Sequence, residues 1–362
     1  MGRPFRADQV GSLLRPAALL EARHRHVSGA ELKAIEDAAI REVVRKQEEV
    51  GLKGVTDGEY RRENWSLDFF AALQGTEVAE LALTTTGQGT RTVPAAVVTG
   101  KVSAADHPMI EHIRFLVGTT KQTAKLTVPV PSMITTASRD WRQIVGKAYD
   151  GLDAFYADLG AAYAQFVQAA YDAGCRYIQF DDVNMAYLCD ADMRAKLSAR
   201  GDDPDVLLDG WVRLINAALA NKPADMTVTT HICRGNFKSQ WFAQGGYEPI
   251  AERLFNDLPY NGYFLEYDND RSGGFEPLRF LPKGDKRVVL GLMTTKTGTL
   301  ENRDLIRRRI DQASAIAPLD QLCLSPQCGF ASHEDGNDLS EQSQWAKLRQ
   351  IVELAQEIWP DA

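Results

Sequence analysis

The chain has 362 residues, 44% hydrophobic and 25% charged, with 41 basic against 49 acidic side chains and a formal net charge of −8. That balance fits a well-cored globular protein and argues against nucleic-acid or membrane-surface partners, since no basic stripe exists to neutralise phosphates. The five cysteines, at 175, 189, 233, 323 and 328, are odd in number and scattered, which reads as reduced thiols of a cytoplasmic protein rather than a disulfide framework.

The opening Met1-Gly2-Arg3-Pro4-Phe5 is no apolar signal segment, and no later run approaches the ~18 apolar residues of a membrane span. From there, β-branched apolar runs alternate with helical patterns, the rhythm of βα units around a parallel sheet. The runs are Arg6 to Val10, Gly54 to Thr56, Lys125 to Val130, Arg176 to Phe180, Met226 to Thr230, Tyr263 to Leu265, Arg287 to Leu292 and Gln321 to Leu324. Helices are expected over Gly29 to Val50, where Ser28 and Glu31 have capping-box spacing, and over Asp153 to Ala173, Asn302 to Ala315 and Glu341 to Trp359. The long gap between the second and third runs holds Thr84 to Lys101, which reads as an inserted hairpin within an insertion of about residues 80–120. The expectation is an α/β fold: a (β/α)8 TIM barrel forming a single catalytic domain over residues 1–362.

Unusual polar residues follow all eight runs: Gly11-Ser12, Asp57-Gly58-Glu59, Pro131-Ser132, Asp181-Asp182, His231 with Cys233, Glu266-Tyr267-Asp268, Thr294-Thr295-Lys296 and Cys328. Carboxy-terminal strand ends are where barrel active sites are built, whereas a merely structural barrel would spread such residues over both ends. Four of them suit zinc: His231, Cys233, Glu266 and Cys328, a mixed set the ion accepts in tetrahedral geometry. On an extended segment positions 231 and 233 point to one side. The next ligands lie 266 − 233 = 33 and 328 − 266 = 62 residues further on, and converge only if the barrel closes. Taken singly, a strand-end Cys is more often a small buried hydrophobe, and Glu266 has a competing partner in Arg271; the joint placement favours the metal. Cys323 sits within a run and reads as core.

The segments Thr230-His231-Ile232-Cys233, Phe264-Leu265-Glu266 and Ser325-Pro326-Gln327-Cys328-Gly329 resemble the zinc motifs of the cobalamin-independent methionine synthase family. Val10-Gly11-Ser12, Asp57-Gly58-Glu59-Tyr60-Arg61-Arg62 and Gln179-Phe180-Asp181-Asp182 are similar to further motifs of its catalytic barrel. The likeness is closest to the short, single-barrel members, with His231 to Phe237 and Gly273 to Leu278 resembling that subgroup. It implies one Zn2+ per chain, methyl transfer from a 5-methyltetrahydrofolate to the homocysteine thiol, and methionine as product. The substrate sulfur would join His231, Cys233 and Cys328 on the ion, with Glu266 the ligand that gives way. Glu59 and Asp181 would take the substrate ammonium and Ser12 its carboxylate. Against this stand the plain alternatives that Glu59 pairs with Arg61 or Arg62 and that Ser12 caps a turn.

The donor side departs from the family. Its Asp-x-His-Ser segment after strand seven is replaced by Met293-Thr294-Thr295-Lys296-Thr297, without a histidine, and the tryptophan after strand three is replaced within Val130-Pro131-Ser132-Met133. Asp182, Lys296 and Arg15 are the donor-side candidates, with His107, His112 or His333 as proton sources. Competing readings are a non-folate donor such as a methylcorrinoid, a zinc-thiol transferase adding a thiol of the coenzyme M type to an epoxide, and a non-catalytic zinc-stabilised barrel. The paired carboxylates Glu59 and Asp181 favour an amino-acid thiol. A homo-oligomer or a methyl-delivering partner protein is compatible with this reading.

Overall fold

The computed structural model describes residues 2–85, 89–146, 148–236 and 238–362. Met1, the stretch Thr86-Gly87-Gln88 inside the expected hairpin, and Phe237 inside the His231 segment lie outside the described residues. Among the described residues nine strands form: β1 Gly54–Val55, β2 Gln74–Thr85, β3 Gly89–Ser103, β4 Thr123–Pro129, β5 Tyr177–Asp182, β6 Thr227–Ile232, β7 Gly262–Glu266, β8 Arg287–Met293 and β9 Leu322–Pro326. Seven make one parallel sheet in the order β1-β4-β5-β6-β7-β8-β9, and β2 pairs with β3 as a separate antiparallel hairpin.

The hydrogen bonds thus draw a curled seven-stranded half-barrel, not the closed eight-stranded ladder expected. The first apolar run contributes only a parallel bridge from Ala7 to Leu324 at the β9 edge, with Asp8 N–H donating to Leu324 O at 3.1 Å. Side chains span the remaining seam: Gln9 Nε2 donates to Thr56 Oγ1 at 3.2 Å, and Thr56 Oγ1 donates to Gly11 O at 2.6 Å. The two-residue β1 is too short to offer a longer ladder. The insertion does fall between the second and third barrel runs, but its hairpin begins ten residues before the expected Thr84, at Gln74. It is followed by a helix, Met109–Thr119.

Helices at Gly29–Val50, Leu152–Asp172, Arg303–Ser314 and Glu341–Ile358 lie where the apolar periodicity placed them. Ser28 occupies the N-cap position yet makes no side-chain cap bond, because Gly29 takes φ 62° and breaks the geometry a capping box needs. A further helix, Pro204–Leu219, begins with a proline in its first turn and is capped by Asp203, which accepts from Asp205 N and Val206 N. Its buried face includes Trp211, Leu214 and Ile215 and packs on Leu152–Asp172.

Strand register positions the site. Asp181 pairs with His231 and His231 with Phe264 across neighbouring strands, so these side chains share one level of the sheet's concave face. Val10, Phe264, Val289 and Cys323 form a small buried cluster of their own; burial pushes the Cys323 thiol up to about 12, as expected of a core cysteine. Near the amino-terminal strand ends a fully buried ion pair joins Lys125 Nζ to Asp8 Oδ1 at 3.1 Å, with Tyr177 OH donating to Asp8 Oδ2 at 2.7 Å. The polar residues of function crowd the opposite, carboxy-terminal ends. Among the described residues no helix is long and apolar enough to cross a membrane.

Candidate metal centre and active site

Ligand-type atoms of His231, Cys233, Glu266 and Cys328 all lie within 4.8 Å of one another. His231 is the penultimate residue of β6, Cys233 follows that strand, Glu266 ends β7, and Cys328 lies two residues beyond β9. The two sulfurs are 3.5 Å apart. The hydrogen bond between the two sulfurs, in which either can donate, holds Cys233 below the ordinary thiol range and pushes Cys328 up. Two sulfurs, an imidazole and a carboxylate at this spacing fit a zinc ion by number and by chemistry.

His231 is oriented by its neighbours: one ring nitrogen, Nε2, lies 3.1 Å from Gln327 O, and Nδ1 lies 3.5 Å from Asp181 Oδ1. Burial alone would disfavour charge on the ring, but the Asp181 contact and Cys233 outweigh it and raise His231 to about 9. Glu266 is wholly buried. Its Oε1 accepts from Arg234 N–H at 2.7 Å and its Oε2 from Arg271 Nη2 at 2.7 Å, so the expected competing partner, Arg271, is engaged as well.

A cavity opens beside the cluster, lined by Cys233, Cys328, His231, Ser12, Glu59 and Asp181, among others. Glu59 is 4% exposed. Its carboxylate accepts from Thr127 Oγ1 at 2.8 Å and meets Arg62 Nη1 at 3.4 Å. Burial raises its pKa; Arg62 opposes this and Asp181 adds to it. Glu59 also takes φ 62°, next to Gly58 at φ 69°, a left-handed conformation that non-glycine residues keep mainly where the fold enforces it. Asp57 holds the turn by accepting from Glu59 N–H at 2.8 Å. Asp181 accepts from Gln179 Nε2 at 2.7 Å. The Ser12 hydroxyl accepts from Ala331 N–H at 3.3 Å, and a Cβ at Gly329 would stand 2.0 Å from that hydroxyl, so a side chain there would collide with it.

The donor-side candidates fare differently. Asp182 does not line the cavity: its Oδ1 accepts from Met185 N–H at 3.0 Å, and burial pushes its carboxyl up to about 7 against those backbone N–H groups. Lys296 Nζ donates to Gly235 O at 2.9 Å and Asn236 Oδ1 at 3.1 Å, tying down the loop after Cys233. Arg15 ties its own loop to two others, donating to Ala331 O at 2.8 Å in one and to Glu59 O and Arg62 O, both at 2.9 Å, in the other. Of the histidines considered, His333 lines the cavity. His107 lies in the core between Phe69 and Phe166, and His112 lies on the helix Met109–Thr119. Trp65, Phe242 and Asn236 also line the cavity and went unnoticed in the sequence. The signal for Trp65 is its place in the same strand-end loop as Glu59, and for Asn236 its place three residues after Cys233.

The family model for the catalytic domain of cobalamin-independent synthases matches residues 12–357. The uncharacterized protein YxjH of Bacillus subtilis is 44% identical over 362 residues, covering 98% of this chain and 95% of that protein. A solved structure from Listeria monocytogenes, described as a candidate vitamin-B12-independent methionine synthase, superimposes with a TM-score of 0.79 at 40% identity, covering 99% of both chains. The 5-methyltetrahydropteroyltriglutamate–homocysteine methyltransferase of Bacillus velezensis is 23% identical over 352 residues, which make up 96% of this chain but 42% of that protein. The chain belongs to the cobalamin-independent methionine synthase family, as a member built on the catalytic domain.

Proposed function

We propose that this protein is a zinc-dependent S-methyltransferase that moves a methyl group from a 5-methyltetrahydrofolate to the thiol of homocysteine, giving methionine. The observation that carries the reading is the cluster of His231, Cys233, Glu266 and Cys328, opening on the same cavity as Glu59 and Asp181. Those four residues would hold one Zn2+ per chain. The ion, when bound, lowers the pKa of a substrate thiol, so that a thiolate nucleophile persists at neutral pH.

The remaining work falls to side chains. Two buried carboxylates facing one cavity repel each other, and a substrate ammonium between Glu59 and Asp181 relieves that repulsion. Ser12 receives the substrate carboxylate. Arg15 and Lys296 act on the loops rather than on the donor, and Asp182 secures the segment after β5. His333, which lines the cavity with Trp65, would protonate a departing nitrogen. The single-domain reading over residues 1–362 and closure of the half-barrel into an eight-stranded (β/α)8 barrel by Arg6 to Val10 belong to the same proposal, supported by the Ala7–Leu324 bridge. So does a cytoplasmic location, supported by five free cysteines.

The test is a product assay with zinc-loaded protein and homocysteine against 5-methyltetrahydrofolate, its polyglutamates and methylcobalamin. Methionine from the folate donor is the expected result. Methionine from methylcobalamin alone would move the donor to a corrinoid, and no methionine from any donor refutes methyl transfer. Coenzyme M with an epoxide should give no adduct, because its sulfonate has no amine for Glu59 and Asp181.

A further inference from the structure

Glu266 differs from the other members of the cluster. His231, Cys233 and Cys328 line the cavity and Glu266 does not, although its carboxylate lies within 4.8 Å of their ligand atoms. Both its oxygens are gripped from behind, by the Arg234 N–H and by Arg271 Nη2. Arg271 Nη2 is itself shared, with Asp268 Oδ1 at 3.1 Å. The Nε and Nη1 groups of Arg271 are buried without a hydrogen-bond partner, and the Trp241 ring covers the guanidinium at 5.4 Å. A carboxylate so placed can be held by an ion on the cavity side or by a guanidinium on the far side. The spare N–H donors give Arg271 the means to follow it.

We propose that Arg271 is a positioning residue for ligand exchange at the centre: it competes with the ion for Glu266 and receives that carboxylate when a substrate thiolate enters from the cavity. Asp268 tunes the competition by drawing on the same Nη2. The proposal rests on the zinc-thiol reading above. No bond to carbon changes in the exchange; one anionic ligand replaces another, and the displaced carboxylate stays neutralised by a charge-assisted hydrogen bond. A guanidinium is suited to this because its planar fork matches a carboxylate and stays charged when buried.

The experiment uses cobalt-substituted full-length protein, titrated with homocysteine and followed through the sulfur-to-cobalt absorption. Losing a charge-assisted hydrogen bond that favours the displaced state should shift the midpoint about tenfold. Arg271→Met should therefore keep its cobalt and need about tenfold more homocysteine, with Arg271→Lys recovering part of the loss. Asp268→Asn frees Arg271 for Glu266 and should move the midpoint the other way. A purely bracing role for Arg271 would lower thermal stability and leave the midpoint in place, and that result overturns the proposal. If Arg271→Met fails to fold, by circular dichroism, Asp268→Asn decides: an unchanged or higher midpoint overturns it. A wild-type spectrum indifferent to homocysteine overturns the zinc-thiol reading itself, before any variant is compared.

Discussion

Replacing Glu59 by Gln keeps the shape of the cavity wall and removes one of its two charges. Glu59 is 4% exposed and Asp181 8%, so an ammonium between them is largely out of water and its attraction is little screened. Truncating one partner of such a desolvated pair costs 2–5 kcal/mol. The lower part of that range applies here, because Asp181 remains to hold the ammonium and Arg62 Nη1, 3.4 Å from Glu59, already draws on its charge. About 2–3 kcal/mol corresponds to a roughly 30- to 150-fold weaker dissociation constant for homocysteine. Gln retains an oxygen for the Thr127 hydroxyl, which donates to Glu59 Oε1 at 2.8 Å, so the wall should stay folded. Calorimetric titration of zinc-loaded Glu59→Gln with homocysteine should show this loss. Titration with 4-mercaptobutyrate, which has the thiol and carboxylate but no amine, should match wild type. Equal weakening of both ligands would mean that Glu59 merely supports the fold, and the ammonium assignment would be wrong.

Cys328→Ser should bind zinc more than about tenfold more weakly, since a hydroxyl is a poor substitute for a thiolate on this ion; competition with a chromophoric chelator measures it, and wild-type affinity would remove Cys328 from the ligand set. Gly329→Ala places a methyl 2.0 Å from the Ser12 hydroxyl, so Ser12 must turn from Ala331 N–H; a stability loss of about 1–3 kcal/mol and weaker homocysteine binding are expected from denaturant titration and calorimetry. His107 accepts from Met109 N–H at 3.3 Å through Nδ1 and faces Phe69 O at 3.1 Å through Nε2, an arrangement for neutral imidazole, and burial lowers its pKa from 6.5 to about 4. The unfolded chain therefore binds the proton first as pH falls, so stability is present above pH 6.5 and lost toward pH 4, by about 3 kcal/mol in all. His107→Gln should be less sensitive to acid over that window in urea titrations, and an identical pH profile would refute the neutral assignment.

The site was legible where it depended on strand ends, because β-branched runs mark the strands and chemistry follows each of them. His231 and Cys233 could be paired from the two-residue strand period alone. The same period applied to Asp181 and Asp182 separates them: neighbours on a strand face opposite sides, so Asp181 reaches the cavity while Asp182 serves the backbone behind it. Lys296 and Arg15 were not legible, because long cationic side chains choose among backbone carbonyls brought together only by the fold. Arg271 was visible as a rival for Glu266; that an ion's ligand and an arginine's partner could be the same carboxylate was not. The helix Pro204–Leu219 announced itself through Asp203 and Pro204. The Arg6 to Val10 run reads as a strand in the sequence, and in the structure it meets the sheet edge through the Ala7–Leu324 bridge.

A substrate sulfur is predicted to share one ion with the cluster of His231, Cys233, Glu266 and Cys328. Zinc-edge X-ray absorption of the wild-type protein, with and without homocysteine, tests it most directly. The prediction is a sulfur count rising from the two of Cys233 and Cys328 to one more, with loss of an oxygen neighbour as Glu266 withdraws. An unchanged ligand shell in the presence of saturating homocysteine would contradict it.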